Sequence, residues 1–545
     1  MAGDDFLKGF DPLGNILRGS NSGKGALSGW KIGTTIVNTI NGHVSRRRQE
    51  QQRDQERRRQ DEILSNPPPI HGSAAWATAA ELKAAKLLRD FSAFDDPSSI
   101  ILGVNSDPNG LSKVEGQLHW DGEGHILTVA PTRSGKATTM IVPNLLRYRG
   151  SCVVLDPKGE LYRDTSAWRA ANVGPVYRIA PFERPTHSFN PVTAIRSEAD
   201  ARALADVLIP DDPRAQGFFK KDAVAFVSGL LLYMIERAPP ELQTLAELRN
   251  LTAAGLHDVL DLARSMQKSA TPAARHGGSV ILSKSPTALP TLLDTLNSEL
   301  SAWSDPGVAR ATSTSDVDFR SLKDRPATVY ITVPMHLTSA FAPLIRVILT
   351  SALDAMVQNE RIPEIPVLFV LDEFLALGAF PKFRDAIRTH AGAGVRLWFF
   401  LQDVPTLEEH YPASWKAFFN ASVKIFFGTD ETFTGKLISD YLGDKTVAYL
   451  SSSISDNAGN SGEGFERSHN RGNTVNQSVN LTARALLDPA EVVQLLSGVN
   501  PDKTRAGLIF TRGARPIQAR LVPWFIGSTC KQRVGIANIF PNGKV

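Results

Sequence analysis

Cysteine is almost missing from this chain of 545 residues: there are two, Cys152 and Cys530, far apart in the sequence. That excludes a disulfide framework and any thiolate-rich zinc site. Long apolar runs are missing as well. No stretch reaches the roughly 18 to 20 apolar residues needed to cross a bilayer. Residues 30–40 are broken by Lys31, Gly33 and Asn38, and residues 223–235 have the length of a buried core helix. No secretory leader opens the sequence, because Met1 to Lys8 runs into Gly, Asp and Pro. A soluble, cytoplasmic chain is expected. Charge of one sign is also scarce: 60 Lys and Arg against 56 Asp and Glu leave a net +4, which permits an anionic partner without building a patch for one. The eleven histidines are scattered, with no pair at metal-ligand spacing, so no zinc is expected. There is no G-x-S-x-G elbow to signal a serine nucleophile.

What is present is ordinary globular composition, 42% hydrophobic and 21% charged, in a chain long enough for two or more folding units. Residues 1–70 stand apart. Glycine and serine are frequent early, and residues 45–60 carry no apolar side chain, so they cannot bury a face. They are either disordered or a solvated helix of mixed charge, closed by the stiff spacer Pro67-Pro68-Pro69. This arm reads as a linker, or as a basic segment touching lipid or nucleic acid. From His71 onward, short β-branched and aromatic runs at 125–130, 152–155, 176–180, 329–333, 367–371, 397–401 and 423–427 alternate with helix-like text. Continuous apolar strands separated by helices predict a mostly parallel sheet buried on both faces, an α/β fold. Residues 197–302 are helical throughout, which predicts an all-α domain inserted between residues 71–196 and 303–545. Residues 451–480, rich in Ser, Asn and Gly, predict a flexible loop. Strand-like text resumes at 506–511 and 517–523.

After the first long strand comes Pro131-Thr132-Arg133-Ser134-Gly135-Lys136-Ala137-Thr138, then a helical run at 140–147. Strand, tight loop, Gly-Lys, helix is the layout of a P-loop. Backbone N–H groups at a helix start wrap a phosphate, and Lys136 reaches the outer phosphates. The match is partial. Ala130 replaces the first glycine, and Ala137 stands where a hydroxyl would hold Mg²⁺; Thr138 is turned by about 100° around the helix. On this motif alone, a polar strand-to-helix turn that happens to contain Gly-Lys remains open. Residues 367–371 then run as five apolar residues into Asp372-Glu373. A buried strand ending in two carboxylates is costly without a purpose. Asp372 is placed to hold Mg²⁺ through water, and Glu373 to orient or deprotonate the attacking water; the alternative is a helix cap. The next strand ends in Gln402, an amide suited to sensing a γ-phosphate. Together these strand-tip signals point to a RecA-like ATPase that uses ATP and Mg²⁺.

The same residues carry a family resemblance. Ala130 to Lys136, Ile141-Val142-Pro143-Asn144-Leu145, the run from Val153 through Asp156, Lys158 and Glu160 to Leu161, Trp303-Ser304-Asp305-Pro306-Gly307, Leu371-Asp372-Glu373-Phe374, Gln402 and Gly428-Thr429-Asp430 resemble the type IV secretion coupling proteins of the TraG type. The resemblance covers about His71 to Phe525. It implies a hexameric RecA-like ATPase at the cytoplasmic face of the inner membrane. Such a protein hands a relaxase-bound single DNA strand, or protein effectors, to the secretion channel. It also implies that residues 197–302 are the family's substrate-recognising all-α domain, that Lys136 contacts phosphate, and that Asp372, Glu373 and Gln402 serve metal, hydrolysis and sensing. Family members often have Gly after the P-loop lysine, which makes Ala137 less anomalous.

Members usually carry two membrane-spanning helices ahead of the ATPase domain, and none is legible here. Either they were lost, or a separate membrane partner recruits the chain, or residues 46–59 dock on anionic lipid. That attraction is about 1 kcal/mol per basic residue near the surface and is weakened by Glu50, Asp54 and Glu56. Arg133, Arg388 and Arg396 are candidates for an arginine completing a neighbouring subunit's site. Asp156 and Lys158 lie at the ligand-binding edge of the sheet. Lys220, Lys221, Arg467 and Arg471 are candidate single-strand contacts or plain solvated charge. Two other readings remain: a nucleotide-gated cargo adaptor with little hydrolysis, and a soluble DNA-translocating ATPase unconnected with secretion.

Overall fold

The computed structural model describes residues 26–92, 96–106, 116–210, 218–461 and 468–536. The described residues fall into two compact units, one made of those up to 73 and from 444 to 484, the other of those from 74 to 443 and from 485 to 536.

The strands follow the chain as β1 (Leu88–Arg89), β2 (Ile100–Asn105), β3 (Gln117–Trp120), β4 (Ile126–Val129), β5 (Cys152–Leu155), β6 (Val176–Ile179), β7 (Thr328–Ile331), β8 (Val367–Leu371), β9 (Val395–Leu401), β10 (Val423–Phe426), β11 (Asp444–Ser461), β12 (Ser468–Ala485), β13 (Arg505–Thr511) and β14 (Ile517–Leu521). Twelve of them form the sheet of the larger unit, in the order β1-β3-β2-β14-β13-β10-β4-β9-β8-β5-β7-β6. From β10 to β6 every pairing is parallel. From β13 outward every pairing is antiparallel.

The apolar runs of the sequence are continuous because both faces of these strands are covered. All residues of β4, β5, β7, β8 and β9 are buried. Successive residues feed opposite faces: Leu127, Val153 and Phe369 join one apolar cluster, while Ile126, Val154 and Leu368 join the other. That is the period-2 geometry of a strand. The first cluster continues into the helices between β6 and β7, including Glu198–Leu208, Leu245–Thr252 and Ala288–Glu299, so this helical segment shares its core with the sheet. Side chains start several of these helices. Ser197 accepts from the Asp200 N–H at 3.2 Å, and Thr244 from the Glu247 N–H at 3.1 Å, satisfying donors that a helix start leaves open.

In the smaller unit Ala26–Ser65 is one helix. Of the two states open to its charged stretch, the helix is the one adopted, and residues 46–59 are exposed. The flexible loop expected at 451–480 is corrected: β11 and β12 form a two-stranded sheet through it. The ribbon is held by backbone pairing and by hydroxyl and amide contacts. Ser451 and Ser478 meet through their Oγ atoms at 2.9 Å, and Asn480 Nδ2 donates to Ser451 Oγ at 2.7 Å. Strands bonded this way need no alternating apolar pattern, so composition gave no sign of them. Among the described residues no helix is long and apolar enough to cross a membrane.

Candidate active site

The parallel strands end nearly level. Val129 of β4 lies opposite Leu401 of β9, Leu371 of β8 opposite Phe399, and Leu155 of β5 opposite Leu371. The loops leaving these strands therefore open on one edge, where parallel α/β sheets bind ligands.

After β4 the chain turns tightly. Ser134 donates through both its N–H and its Oγ to the Pro131 carbonyl, at 3.3 and 2.6 Å. Arg133 at φ 62° and Gly135 at φ 94° take the left-handed region. For an arginine that conformation costs of the order of 1 kcal/mol or more, and such strain gathers at functional loops. The following helix opens as a π-turn at Ala137–Ile141 and becomes α over Val142–Leu145. Pro143 explains the wide turn. It has no N–H to offer the carbonyl four residues back, and its ring crowds that carbonyl. The hydroxyls of Thr138 and Thr139 do not replace the residue missing at Ala137. Both donate to the Gly135 carbonyl, at 3.1 and 2.8 Å. At its far end the helix is held by Arg169, a fully buried residue that donates to the carbonyls of Leu145, Tyr148 and Gly150 at 3.1, 2.7 and 2.7 Å.

At the end of β8, Glu373 adopts φ 57°, a second strained non-glycine. Its carboxylate faces the P-loop lysine: Lys136 Nζ lies 3.4 Å from Oε1, with both side chains buried. Gln402 Nε2 donates to Oε2 at 2.7 Å. Three residues singled out from three distant segments thus make one contact chain, lysine to carboxylate to amide. Asp372 is buried beside them, and its Oδ1 has no hydrogen-bond partner. Burial pushes its pKa up to about 6, with Lys136 opposing and Glu373 reinforcing the shift. Asp156, at the tip of β5, is likewise pushed up to about 6 by burial, against hydrogen bonds from the Tyr162 and Leu161 backbones and with the charge of Asp372 adding to it. The Tyr162 N–H donates to its Oδ2 at 2.8 Å, so it also serves the helix start at Glu160–Asn172. An anionic acid, unsatisfied and buried beside a second acid, is a receptor for a cation. Asp372 therefore has the chemistry to receive a magnesium ion, and Lys136 with the P-loop has the chemistry to receive phosphate.

Other expected residues distribute differently. Arg133 sits exposed at the loop tip, and Lys158 is exposed beyond β5. Arg396 is corrected: it is the second residue of β9, at the end of the sheet away from Gln402, and is 2% exposed. Its guanidinium stacks over Trp120 at 4.6 Å and donates to the carbonyls of Asp121 and Gly122, a structural assignment. Arg388 is exposed on Pro381–Thr389, the helix that precedes β9, and so is also away from the strand tips. Lys220 pairs with Asp206 at 3.1 Å, Lys221 is exposed, Arg467 lies outside the described residues, and so does the side chain of Arg471.

One contact was not legible as chemistry. Gly428, after β10, has φ +71°, and a Cβ there would stand 2.6 Å from Ser134 Cβ. Only glycine lets that strand tip pack under the P-loop. Gly428→Ala is expected to displace the loop and weaken nucleotide affinity by about tenfold or more while leaving circular dichroism unchanged, since a loop shift of this kind forfeits at least one phosphate contact. Titration with a fluorescent ATP analogue checks it.

The sequence pattern of the family described as Type IV secretory system Conjugative DNA transfer matches residues 75–542. Protein VirD4 of Rhizobium radiobacter is 29% identical over 479 residues, covering 85% of this chain and 65% of that protein. Conjugal transfer protein TraG of Escherichia coli is 27% identical over 381 residues, covering 62% of this chain and 58% of that one. The chain thus spans somewhat less than two thirds of the length of these relatives. The plasmid coupling protein TrwB has the same fold. Its complex with the non-hydrolysable ATP analogue ADPNP superposes with a TM-score of 0.54 at 17% identity, over 73% of this chain and 85% of that one. A further structure contains ADP and Mg²⁺, with a TM-score of 0.52 at 18% identity and the same coverage. The α/β fold is therefore RecA-like. With more than half of its length matched to the family pattern, the chain belongs to the type IV secretion coupling proteins of conjugative DNA transfer.

Proposed function

We propose that this chain binds ATP with Mg²⁺ at the tips of β4, β8 and β9 and hydrolyses it, moving single-stranded DNA or protein substrate toward a type IV secretion channel. The single observation that carries the reading is the buried chain of contacts Lys136–Glu373–Gln402 with Asp372 alongside. Lys136 supplies positive charge to the terminal phosphates. Glu373, oriented by the Gln402 amide, accepts the proton of the attacking water. Gln402 links that carboxylate to β9, so a change at Glu373 is transmitted to the strand and to the helix Val404–His410 that follows it. Asp372 would hold magnesium, which when bound would supply charge to neutralise the phosphates. When phosphate takes Lys136, the lysine leaves Glu373, and the freed carboxylate becomes the better base. Assembly into a ring, a nucleic-acid or effector cargo, channel components as partners, recruitment by a separate membrane protein, and a position at the cytoplasmic face of the inner membrane belong to the same proposal, on the strength of the family.

One observation favours a second reading, a nucleotide-gated adaptor with little turnover: the Thr138 and Thr139 hydroxyls are committed to Gly135, and no hydroxyl stands at position 137. Phosphate release by the wild-type chain separates the two. Turnover stimulated by single-stranded DNA and abolished by Lys136→Ala supports the motor. ATP binding with no release, with or without DNA, supports the adaptor. DNA affinity that falls steeply with salt and ignores sequence supports the motor.

A further inference from the structure

A second cavity lies on the larger unit, away from the strand tips. It has a volume of about 370 Å³ and is bounded by the residues entering the helical segment at 189–204, the return at 315–320 and the helix Ala342–Gln358. Its floor is apolar: Phe189 and Phe319 meet edge to face at 4.8 Å, with buried Ile195 and Val317 beside them. Thr350, 7% exposed, lines it and carries a hydroxyl with no hydrogen-bond partner. In a helix that hydroxyl ordinarily bonds back to the carbonyl a turn earlier, so this one is left for something else.

The charged groups on the wall are unequally occupied. Asp354 pairs with Lys382. Asp200 accepts from the Arg196 N–H at 3.0 Å, the Ser197 hydroxyl at 2.9 Å and the Gln358 amide at 3.3 Å. Asp318 accepts from the Arg320 N–H at 3.0 Å. The guanidinium groups of Arg196 and Arg320, both exposed residues lining the cavity, have no ion-pair partner among the described residues. Asp354 is offset by Lys382, Asp200 and Asp318 spend their oxygens on neighbouring neutral donors while keeping their charge, and the two arginines are solvent-exposed. A cavity of this size is far larger than one inorganic anion needs, and such an anion leaves the apolar floor uncovered.

From these features we infer that the cavity binds an amphipathic carboxylate, its apolar body against Phe189, Ile195 and Phe319 and its head on Arg196 and Arg320. Guanidinium forks suit a carboxylate bidentately, and an apolar pocket with a few convergent polar groups is the usual form of a small-ligand site. Two sources share this chemistry: a free medium-chain carboxylate, and the C-terminal residue of a peptide with an apolar side chain.

The experiment is calorimetric titration of the full chain with octanoate and with a tetrapeptide ending in leucine, each beside its neutral amide. Saturable binding of either acid is expected, about tenfold tighter than its amide, the ratio one charge-assisted contact supplies. The double variant Arg196→Gln/Arg320→Gln is expected to lose that ratio while binding ATP as before. Ala203→Trp, at an exposed lining position, is expected to block both probes with unchanged circular dichroism. The tighter acid names the source. If neither acid binds, or if binding survives Ala203→Trp or shows no preference of acid over amide, the inference is overturned. ATP affinity is read on the same samples, so failure here is distinct from failure of the nucleotide reading.

Discussion

Glu373→Gln will bind ATP and turn it over at least ~100-fold more slowly than wild type, the loss that removal of a positioned general base produces. The substitution is nearly isosteric and keeps a partner for Gln402, so the strand tips should hold their shape. Its effect on binding has a definite sign. In the unliganded protein Lys136 is engaged by Glu373 at 3.4 Å in a buried setting, and a triphosphate must compete for that lysine. A neutral glutamine competes less, so affinity should be equal to wild type or tighter. Lys136→Ala moves the other way, removing the phosphate contact and with it both binding and turnover. Equilibrium binding of a fluorescent nucleotide and phosphate-release rates, measured on all three proteins, check the pattern. A Glu373→Gln variant that retains turnover within about twofold of wild type contradicts the assignment of Glu373 as base, because a base contributes far more.

Asp372→Asn should make the nucleotide-free, metal-free protein more stable at pH 8 while abolishing Mg²⁺-dependent turnover. Burial raises the Asp372 carboxyl from its ordinary 3.8 to about 6, so holding it ionised in the fold opposes folding. At 1.36 kcal/mol per pH unit of difference the cost is about 3 kcal/mol. The sign follows from proton uptake. Between pH 3.8 and 6 the native protein binds more protons at this group than the unfolded chain, so the group's contribution is fully favourable below the lower value and is lost as pH rises through the upper one. Asparagine carries no such dependence. The stability gap between variant and wild type should vanish near pH 4, open through pH 6 and level off above it, which denaturant unfolding at several pH values reads directly. A functional carboxylate maintained at the expense of stability is the expected trade at a metal site. A variant no more stable than wild type at pH 8 contradicts the reading of Asp372 as a strained, ligand-seeking acid.

Much of this site was legible before the fold because its residues sit at punctuation points of the sequence. Buried parallel strands write themselves as unbroken apolar runs, and the polar residue that ends each run marks the ligand edge; Asp372, Glu373 and Gln402 were found in that way. Lys136 was found from the Gly-Lys turn. What the pattern cannot carry is distance across the chain. That Lys136 meets Glu373 and not Asp372 depends on the left-handed backbone of Glu373, which a glutamate does not advertise. Arg396 was misplaced because it is the second residue of a strand whose opposite end holds Gln402; an arginine next to an apolar run reads the same at either end. Its stacking on Trp120 comes from a segment far away in sequence. The β11 and β12 ribbon was read as a loop because serine and asparagine pairs leave no apolar alternation. β2 and β3, in the antiparallel half of the sheet, were not anticipated: Gly103 breaks the apolar run of β2, and Gln117 and His119 break that of the four-residue β3.

In the proposed mechanism the P-loop lysine and the acids ending β8 address one bound triphosphate. A structure of the wild-type chain with a non-hydrolysable ATP analogue and Mg²⁺ tests it most directly. Phosphate oxygens are expected on Lys136, with the lysine released from Glu373 and the metal on the Asp372 side with water between them. Phosphates bound elsewhere on the sheet edge, with Lys136 still seated on Glu373, contradict it.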